Sequence, residues 1–308
     1  MAVNLKKIST EREILLAPGH RACAGCPGPV IIKQALLAAG KDTVVGFATG
    51  CMEVVTTIYP FTSHRVPYIH SAFENSAATV SGVEAAYRSL KRKGKISKKI
   101  NFIAFGGDGG TYDIGLQSLS GAMERGHNML YICYDNEAYM NTGIQRSSAT
   151  PYGADTTTSP AGKVIPGKQQ YPKDLTKILI AHNIPYIAQS SPHNYSDIIE
   201  KVEKALAVDG PAFINVLSPC PLGWRFPYSD SIHLAKLAVE TCFWPLYEVV
   251  DGIYKITYKP KEKKPVDEWL KLQGRFKHLF QPGNEQIREK IQAHVDKKWE
   301  QLLKLESL

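Results

Sequence analysis

Apolar residues along the 308-residue chain fall into two alternating patterns. Residues 43–48 (TVVGFA), 101–105 (NFIAF), 128–134 (NMLYICY), 184–188 (IPYIA) and 212–217 (AFINVL) are short, nearly unbroken apolar runs. A strand covered on both faces needs no polar positions, so these runs predict buried strands. Between them, residues 75–90, 113–125, 174–182 and 195–207 carry apolar positions at helical spacing. In the last of these, Ile198, Ile199, Val202, Ala205 and Leu206 share one face. Strands alternating with helices of this length predict βαβ units. The fold class expected is α/β, a mostly parallel sheet with helices on both faces.

The intervals carry their own signals. Residues 91–99 (KRKGKISKK) form a basic linker, and residues 142–170 are rich in Gly, Ser, Thr and Pro. An irregular stretch that long inside a compact domain is often functional. After the Lys/Pro-rich residues 259–265, a stripe of Ile287, Ile291, Val295, Trp299, Leu302 and Leu303 predicts a terminal amphipathic helix. Such a stripe packs either on its own domain or on a partner subunit. The expected division is an α/β unit over residues 1–258 and a basic C-terminal extension over 259–308.

Composition narrows the classes. With 44% apolar and 21% charged residues, the make-up is that of an ordinary globular protein. A chain of this length buries roughly 75% of its unfolded surface. No apolar run approaches the ~20 residues of a membrane span, and residues 1–20 hold no segment that reads as a secretion signal. No membrane contact and a cytoplasmic location are therefore expected. Net charge is +8, from 37 Lys and Arg against 29 Asp and Glu, and residues 259–308 supply 12 against 8 of these. A basic balance suits an acidic partner or an anionic cofactor. No nucleic-acid-binding motif accompanies it, so no nucleic acid is expected.

Chemistry gathers where the predicted strands end. In parallel sheets, ligands bind outside the carboxyl ends of the strands. Four such exits are unusual: Thr49-Gly50-Cys51, Gly106-Gly107-Asp108-Gly109-Gly110, Asp135-Asn136-Glu137 and Pro219-Cys220. The glycines leave backbone amides open to a close ligand at the start of a helix, which suits a phosphate. Asp108 among them would repel that phosphate unless a hard cation such as Mg²⁺ lay between, taking oxygen from both. Asn136 follows 28 residues later, one crossover and one strand away, and offers a neutral oxygen over the same point.

The six cysteines add a second group. Cys23-Ala24-Gly25-Cys26 is a CxxC pair, and Cys51 and Cys220 stand at strand exits. Four thiolates suit either zinc or a 4Fe-4S iron–sulfur cluster, and spacing leaves both open. Cys133, inside a strand, and Cys242, inside an apolar run, are expected to be core thiols.

The run GDGGTYDIGLQSLSGAMERGHNMLYICYDNEAYMNTGIQRSSATPYGA, beginning at Gly107, resembles the thiamine diphosphate motif of a GDG followed by an Asn. Together with APGHRACAGCP and SPCPLGW, it makes residues 17–225 resemble the β subunits of the 2-oxoacid:ferredoxin oxidoreductases, most closely the pyruvate type. That resemblance implies the diphosphate half of a thiamine diphosphate-binding fold. It implies Mg²⁺ on Asp108, the Asn136 side chain and the Ala138 carbonyl. Gly107, Gly109 and Gly110 would hold the diphosphate, with Cys51, Glu137 and Asn141 also at the cofactor and Asn141 beside the reacting carbon as the catalytic residue. One 4Fe-4S cluster would sit on Cys23, Cys26, Cys51 and Cys220.

The activity implied is reversible oxidative decarboxylation of pyruvate to acetyl-coenzyme A and CO₂, with electrons leaving through the cluster to ferredoxin. The partners implied are an α subunit bringing the pyrimidine-binding half and the activating Glu, γ-type and ferredoxin-like subunits, soluble ferredoxin and coenzyme A. Glu53 and Glu74 read as structural or surface carboxylates. His70 reads as a structural histidine or a cofactor contact, and His20 as a loop cap or a donor to the cluster. Trp224 and Arg225 read as packing and salt-bridge residues. There is one departure: many pyruvate-type relatives have Gly-Glu after the CxxC, where this chain has Pro27-Gly28. That removes a cofactor role from position 28 and leaves oxalate or another small 2-oxoacid beside pyruvate as a substrate. Two other readings explain less. A metal-stabilised electron-transfer or scaffold subunit does not account for Asp108 with Asn136, and a self-contained thiamine enzyme leaves four cysteines idle.

Overall fold

The computed structural model describes residues 10–308. Residues 1–9, part of the stretch read above for a secretion signal, lie outside the described residues. The strands are β1 Thr43–Ala48, β2 Tyr68–Ser71, β3 Asn101–Gly107, β4 Leu130–Asp135, β5 Tyr186–Ser190, β6 Ala212–Leu217, β7 Leu246–Val250 and β8 Ile253–Tyr258. They form an eight-stranded sheet in the order β2-β1-β3-β4-β6-β5-β7-β8. Strands β1 to β6 are parallel, and β7 and β8 add an antiparallel edge. The α/β class read from the sequence is the fold observed.

The helices that cover the sheet are α1 Gly28–Ala39, α2 Cys51–Thr56, α3 Ser76–Arg92, α4 Leu116–Glu124, α5 Leu175–Ile180 and α6 Tyr195–Ala207. On one face, Ile32 and Leu36 of α1 and Ile198 and Val202 of α6 pack against Val45, Phe47, Phe105, Ile132 and Ile214. On the other, Val80 of α3, Leu119 and Met123 of α4 and Leu179 of α5 pack against Phe102, Ala104, Tyr131 and Phe213. This two-sided cover is why β1 and β6 are mostly apolar, with Asn215 the polar exception inside β6, and why their ends coincide with the runs read from the sequence.

The chain continues through α7 Pro221–Trp224, α8 Ser231–Glu240, α9 Asp267–Leu270, a 3₁₀ turn over Gly274–Phe280 and the terminal helix α10 Glu285–Glu306. Residues after 259 are built into the body. Trp269, Phe276, Leu279, Ile291 and Val295 share a third cluster with Trp224, Leu234, Leu237 and Leu246. Leu302 joins the second cluster beside Tyr247 and Ile256. The stripe on α10 thus packs on its own chain, leaving Leu303 exposed.

The antiparallel edge was not legible. Strand β7 (LYEVV) carries Glu248 in the middle of an apolar run, and a buried carboxylate argues against a core strand. Here Glu248 is satisfied by the Tyr186 hydroxyl at 2.8 Å and the Lys204 ammonium at 2.7 Å. The helix expected over 113–125 also divides. A π-helical turn over Gly109–Ile114 precedes α4, and such turns occur frequently at functional sites.

Among the described residues, no helix is long and apolar enough to cross a membrane. His64, stacked on Tyr68 and tilted against Phe47, is pushed down to about 4 by burial. It folds neutral, whereas the unfolded chain takes up a proton near pH 6.5. Its stabilising contribution is full above pH 6.5 and falls as pH drops towards 4. His64→Phe should make the melting temperature less sensitive to pH between those values; an unchanged slope would remove His64 from the acid response. Trp269→Ala should cost about 3–5 kcal/mol in one cooperative urea transition, because its ring lies in the shared core. A separate early transition confined to residues after 259 would contradict that packing.

Candidate cofactor site at the carboxyl edge of the sheet

Strands β1, β3, β4 and β6 are consecutive neighbours in the sheet. Their four exits therefore stand side by side, as parallel strands require. The register places Gly107 opposite Tyr134 and Asp135 opposite Leu217, so Asp108 and Asn136 leave adjacent strands at one level. The glycines make this closeness sterically possible. A side chain at Gly107 would meet the Tyr134 ring at 3.2 Å, and one at Gly109 would lie 2.5 Å from the Tyr139 ring.

Asp108 is fully buried. Its Oδ2 accepts from the Ser147 hydroxyl at 2.6 Å, and its Oδ1 accepts from the Asn136 amide N–H at 3.2 Å. The Asn136 side-chain oxygen faces only acceptors. Turning the amide over would let its nitrogen donate to Asp108 Oδ1 and to the Ala138 carbonyl, each at 2.9 Å. Either end of the Asn136 amide can therefore face the Asp108 carboxyl and the Ala138 carbonyl, each 2.9 Å away. Mg²⁺ takes oxygen ligands at 2.0–2.1 Å in octahedral geometry, where neighbouring ligand oxygens stand about 2.9 Å apart. With the Asn136 oxygen turned inward, the three groups fit a hard divalent cation in donor type.

Charge agrees with that fit. Burial pushes the Asp108 carboxyl well above the ordinary range, with Asp135 adding to it. Burial likewise raises Asp135 to about 6 and Glu137 to about 7. Three buried carboxylates at two strand ends favour a cation among them. Asp135 is already committed, accepting from the Tyr112 hydroxyl at 2.5 Å and from the Glu137 amide N–H at 3.0 Å. The Glu137 side chain turns to Arg275, with Nη2 and Oε2 2.5 Å apart.

The irregular segment 142–170 closes over this edge. Lys168, buried, donates to the carbonyls of Ser147 and Ser148 at 3.4 Å and to that of Thr150. Lys173 donates to the Tyr112 carbonyl at 2.8 Å and to Asp113 at 3.1 Å. These lysines pin the loop so that Ser147 reaches Asp108. The composition of the loop signalled function, but nothing singled out Ser147 or Lys168 within it.

The four cysteines read as a set are brought together. Burial pushes Cys26 and Cys51 up to about 12; the thiols of Cys220 and Cys23 add to the first, and those of Cys220 and Cys26 to the second. Burial raises Cys220 as well, with Cys23 contributing. Cys23 itself is exposed. Among the described residues, no three His, Cys, Asp or Glu side chains converge closely enough to hold a single metal ion. Four neighbouring thiols suit an iron–sulfur cluster or zinc in donor chemistry. Cys133 and Cys242 are buried, as core thiols should be.

The remaining positions divide. The exposed Asn141 lies with its side chain against the Cys51 thiol. His70 meets the Thr49 hydroxyl at 2.7 Å, beside the first exit, with Glu53 Oε1 3.6 Å from its other ring nitrogen. Glu53 is buried against Thr57, while Glu74 is exposed. His20 is half-buried, and its Nδ1 has no partner. At position 28, where the sequence departs from many pyruvate-type relatives, Gly28 packs against the Met52 side chain. Trp224 packs in the core and donates from Nε1 to the Asn136 carbonyl at 2.8 Å, and Arg225 pairs with Asp155.

Comparison with known proteins agrees with this geometry. Residues 48–216 match the thiamine pyrophosphate enzyme C-terminal TPP-binding domain. Pyruvate synthase subunit PorB of Thermotoga maritima is 54% identical, covering 100% of this chain and 98% of its own length. Pyruvate synthase subunit PorB of Methanocaldococcus jannaschii is 58% identical over 93% of this chain and 96% of its own length. A solved 2-oxoglutarate:ferredoxin oxidoreductase from Magnetococcus marinus shares the fold at 18% identity, with a TM-score of 0.55 over 72% of this chain and 79% of that one. With the TPP-binding match covering more than half of the chain and PorB relatives matching along nearly all of it, the chain belongs to the PorB family of 2-oxoacid:ferredoxin oxidoreductase subunits.

Proposed function

We propose that this chain is the catalytic β subunit of an oxidoreductase that reversibly decarboxylates pyruvate to acetyl-coenzyme A and CO₂, passing electrons through a 4Fe-4S cluster to ferredoxin. The observation that carries this reading is the convergence of the buried Asp108 carboxyl, the Asn136 side-chain amide and the Ala138 carbonyl over the glycine-rich exit. Those three would hold Mg²⁺, and the turn at Gly107, Gly109 and Gly110 would take the diphosphate of thiamine diphosphate. When bound, thiamine diphosphate supplies the electron sink that decarboxylation needs.

This chain's own residues orient and connect the parts. Ser147 fixes the Asp108 carboxylate by donating to Oδ2, while Oδ1, which accepts from the Asn136 backbone N–H, would turn a lone pair to the metal. Asn141 lies against Cys51 and would stand beside the reacting centre. Cys51 also neighbours Cys26 and Cys220, so a cluster on Cys23, Cys26, Cys51 and Cys220 would begin one side chain away from the chemistry. The pyrimidine-binding half and its activating carboxylate are assigned to an α subunit, because the relatives are themselves named as subunits. Coenzyme A, ferredoxin and further γ-type and ferredoxin-like subunits complete the proposed assembly. Pyruvate is favoured over other 2-oxoacids by the names of the PorB relatives. Turnover of the purified complex with pyruvate, and little with oxalate or 2-oxoglutarate, is the expected result; the reverse preference would reassign the substrate.

In the native complex, Asp108→Asn should weaken Mg²⁺-dependent binding of thiamine diphosphate by about 100-fold or more while leaving the melting temperature of the cofactor-free protein close to native. Unchanged affinity would remove Asp108 from the metal site. Cys220→Ala should abolish the low-temperature EPR signal of the reduced cluster and lower the iron content of anaerobically purified protein. Retention of about four irons per chain would take Cys220 out of the ligand set, and zinc in place of iron would overturn the electron-transfer half of the reading.

A further inference from the structure

We propose that Arg275 is a positioning residue for the metal-binding turn, reaching into it from the C-terminal extension; the inference rests on the metal site proposed above. Arg275 lies 138 residues from Glu137 in sequence and outside the 48–216 segment that matches the TPP-binding domain. Its side chain is 3% exposed. Nη2 meets Glu137 Oε2 at 2.5 Å, and Nε donates to Gln273 Oε1 at 2.9 Å. Gln273 is in turn fixed by donating to the Trp269 carbonyl at 2.8 Å. The guanidinium lies 3.8 Å from the centre of the Trp224 ring, and Trp224 Nε1 donates to the Asn136 carbonyl at 2.8 Å. One cation therefore holds residue 137 directly and residue 136 through an indole.

These are the residues whose shape decides the oxygen group. Glu137 has φ 64°, left-handed backbone that an L side chain rarely adopts. That turn lets the Asn136 side chain and the Ala138 carbonyl face one point. Such a conformation persists only when its surroundings over-determine it. Here the Glu137 amide N–H donates to Asp135 Oδ1 at 3.0 Å, and its carbonyl accepts from Thr150 at 2.7 Å. Arg275 secures the side chain. An arginine suits the task because a flat fork can stack on Trp224 and bond Glu137 at once, which a lysine ammonium cannot do. The unpaired alternative, a lone carboxylate in the interior, is strongly unfavourable.

The test uses the native complex of this chain with its partner subunits, and two variants. Arg275→Lys keeps the charge and loses the fork and the stack. The double variant E137Q/R275M removes both charges together, so no buried ion is left alone and the fold is retained. Titration with Mg²⁺ at fixed thiamine diphosphate, followed by protein fluorescence, gives the apparent metal Kd. The melting temperature without cofactor and the iron content are measured alongside. The expected result is a Kd raised about tenfold or more in the double variant, with melting temperature and iron near native. Native-like Kd in both variants would overturn the role. So would weakening that merely tracks loss of folded, iron-containing protein, since that is what general support of the core predicts. If the native complex itself shows no Mg²⁺-dependent binding, the metal-site reading fails, and this inference with it.

Discussion

Burying like charges together is among the least favourable things a fold can do, and this sheet does it at the ends of two adjacent strands. Asp108, Asp135 and Glu137 are all buried where β3 and β4 stop. Each is held by named donors: Ser147 for Asp108, Tyr112 for Asp135 and Arg275 for Glu137. Beside them the Asn136 side-chain amide lies 2.9 Å from both Asp108 Oδ1 and the Ala138 carbonyl. The rest of the edge follows from this constraint. The glycines remove side chains that would block the approach, the loop 142–170 brings Ser147 and Lys168 over it, and the C-terminal segment supplies the guanidinium.

Topology supplies the second condition. Because β1, β3, β4 and β6 are neighbours running in one direction, the Cys51 and Cys220 exits flank the two oxygen-bearing exits. The CxxC loop reaches the same edge ahead of α1, where Gly28 lies against Met52 of α2. The thiols of Cys26 and Cys220 neighbour Cys51, whose side chain in turn lies against Asn141 and near Asp108.

The segment after 259 changes how the molecule is understood. Its basic composition reads as a surface appendage. Trp269 and Phe276 nevertheless lie within the third core, and Arg275, over the Trp224 ring, touches the turn between β4 and the loop. A stretch that is basic in composition is thus packed against the body and paired with the turn after β4.

The sequence by itself determined the α/β class, the parallel core strands and the Asp108, Asn136 and cysteine positions. Each of these rests on local pattern: apolar runs, helical spacing, and glycines or ligating residues at strand ends. The antiparallel edge, the π-helical turn and the donors Ser147, Lys168 and Arg275 were decided only by tertiary structure. Glu248 reads as polar until Tyr186 and Lys204, far along the chain, are seen to satisfy it. Arg275 reads as one of many surface cations until the fold removes it from water and sets it against Glu137. A local pattern records what a residue prefers. Which charges become partners depends on contacts that only the folded chain makes.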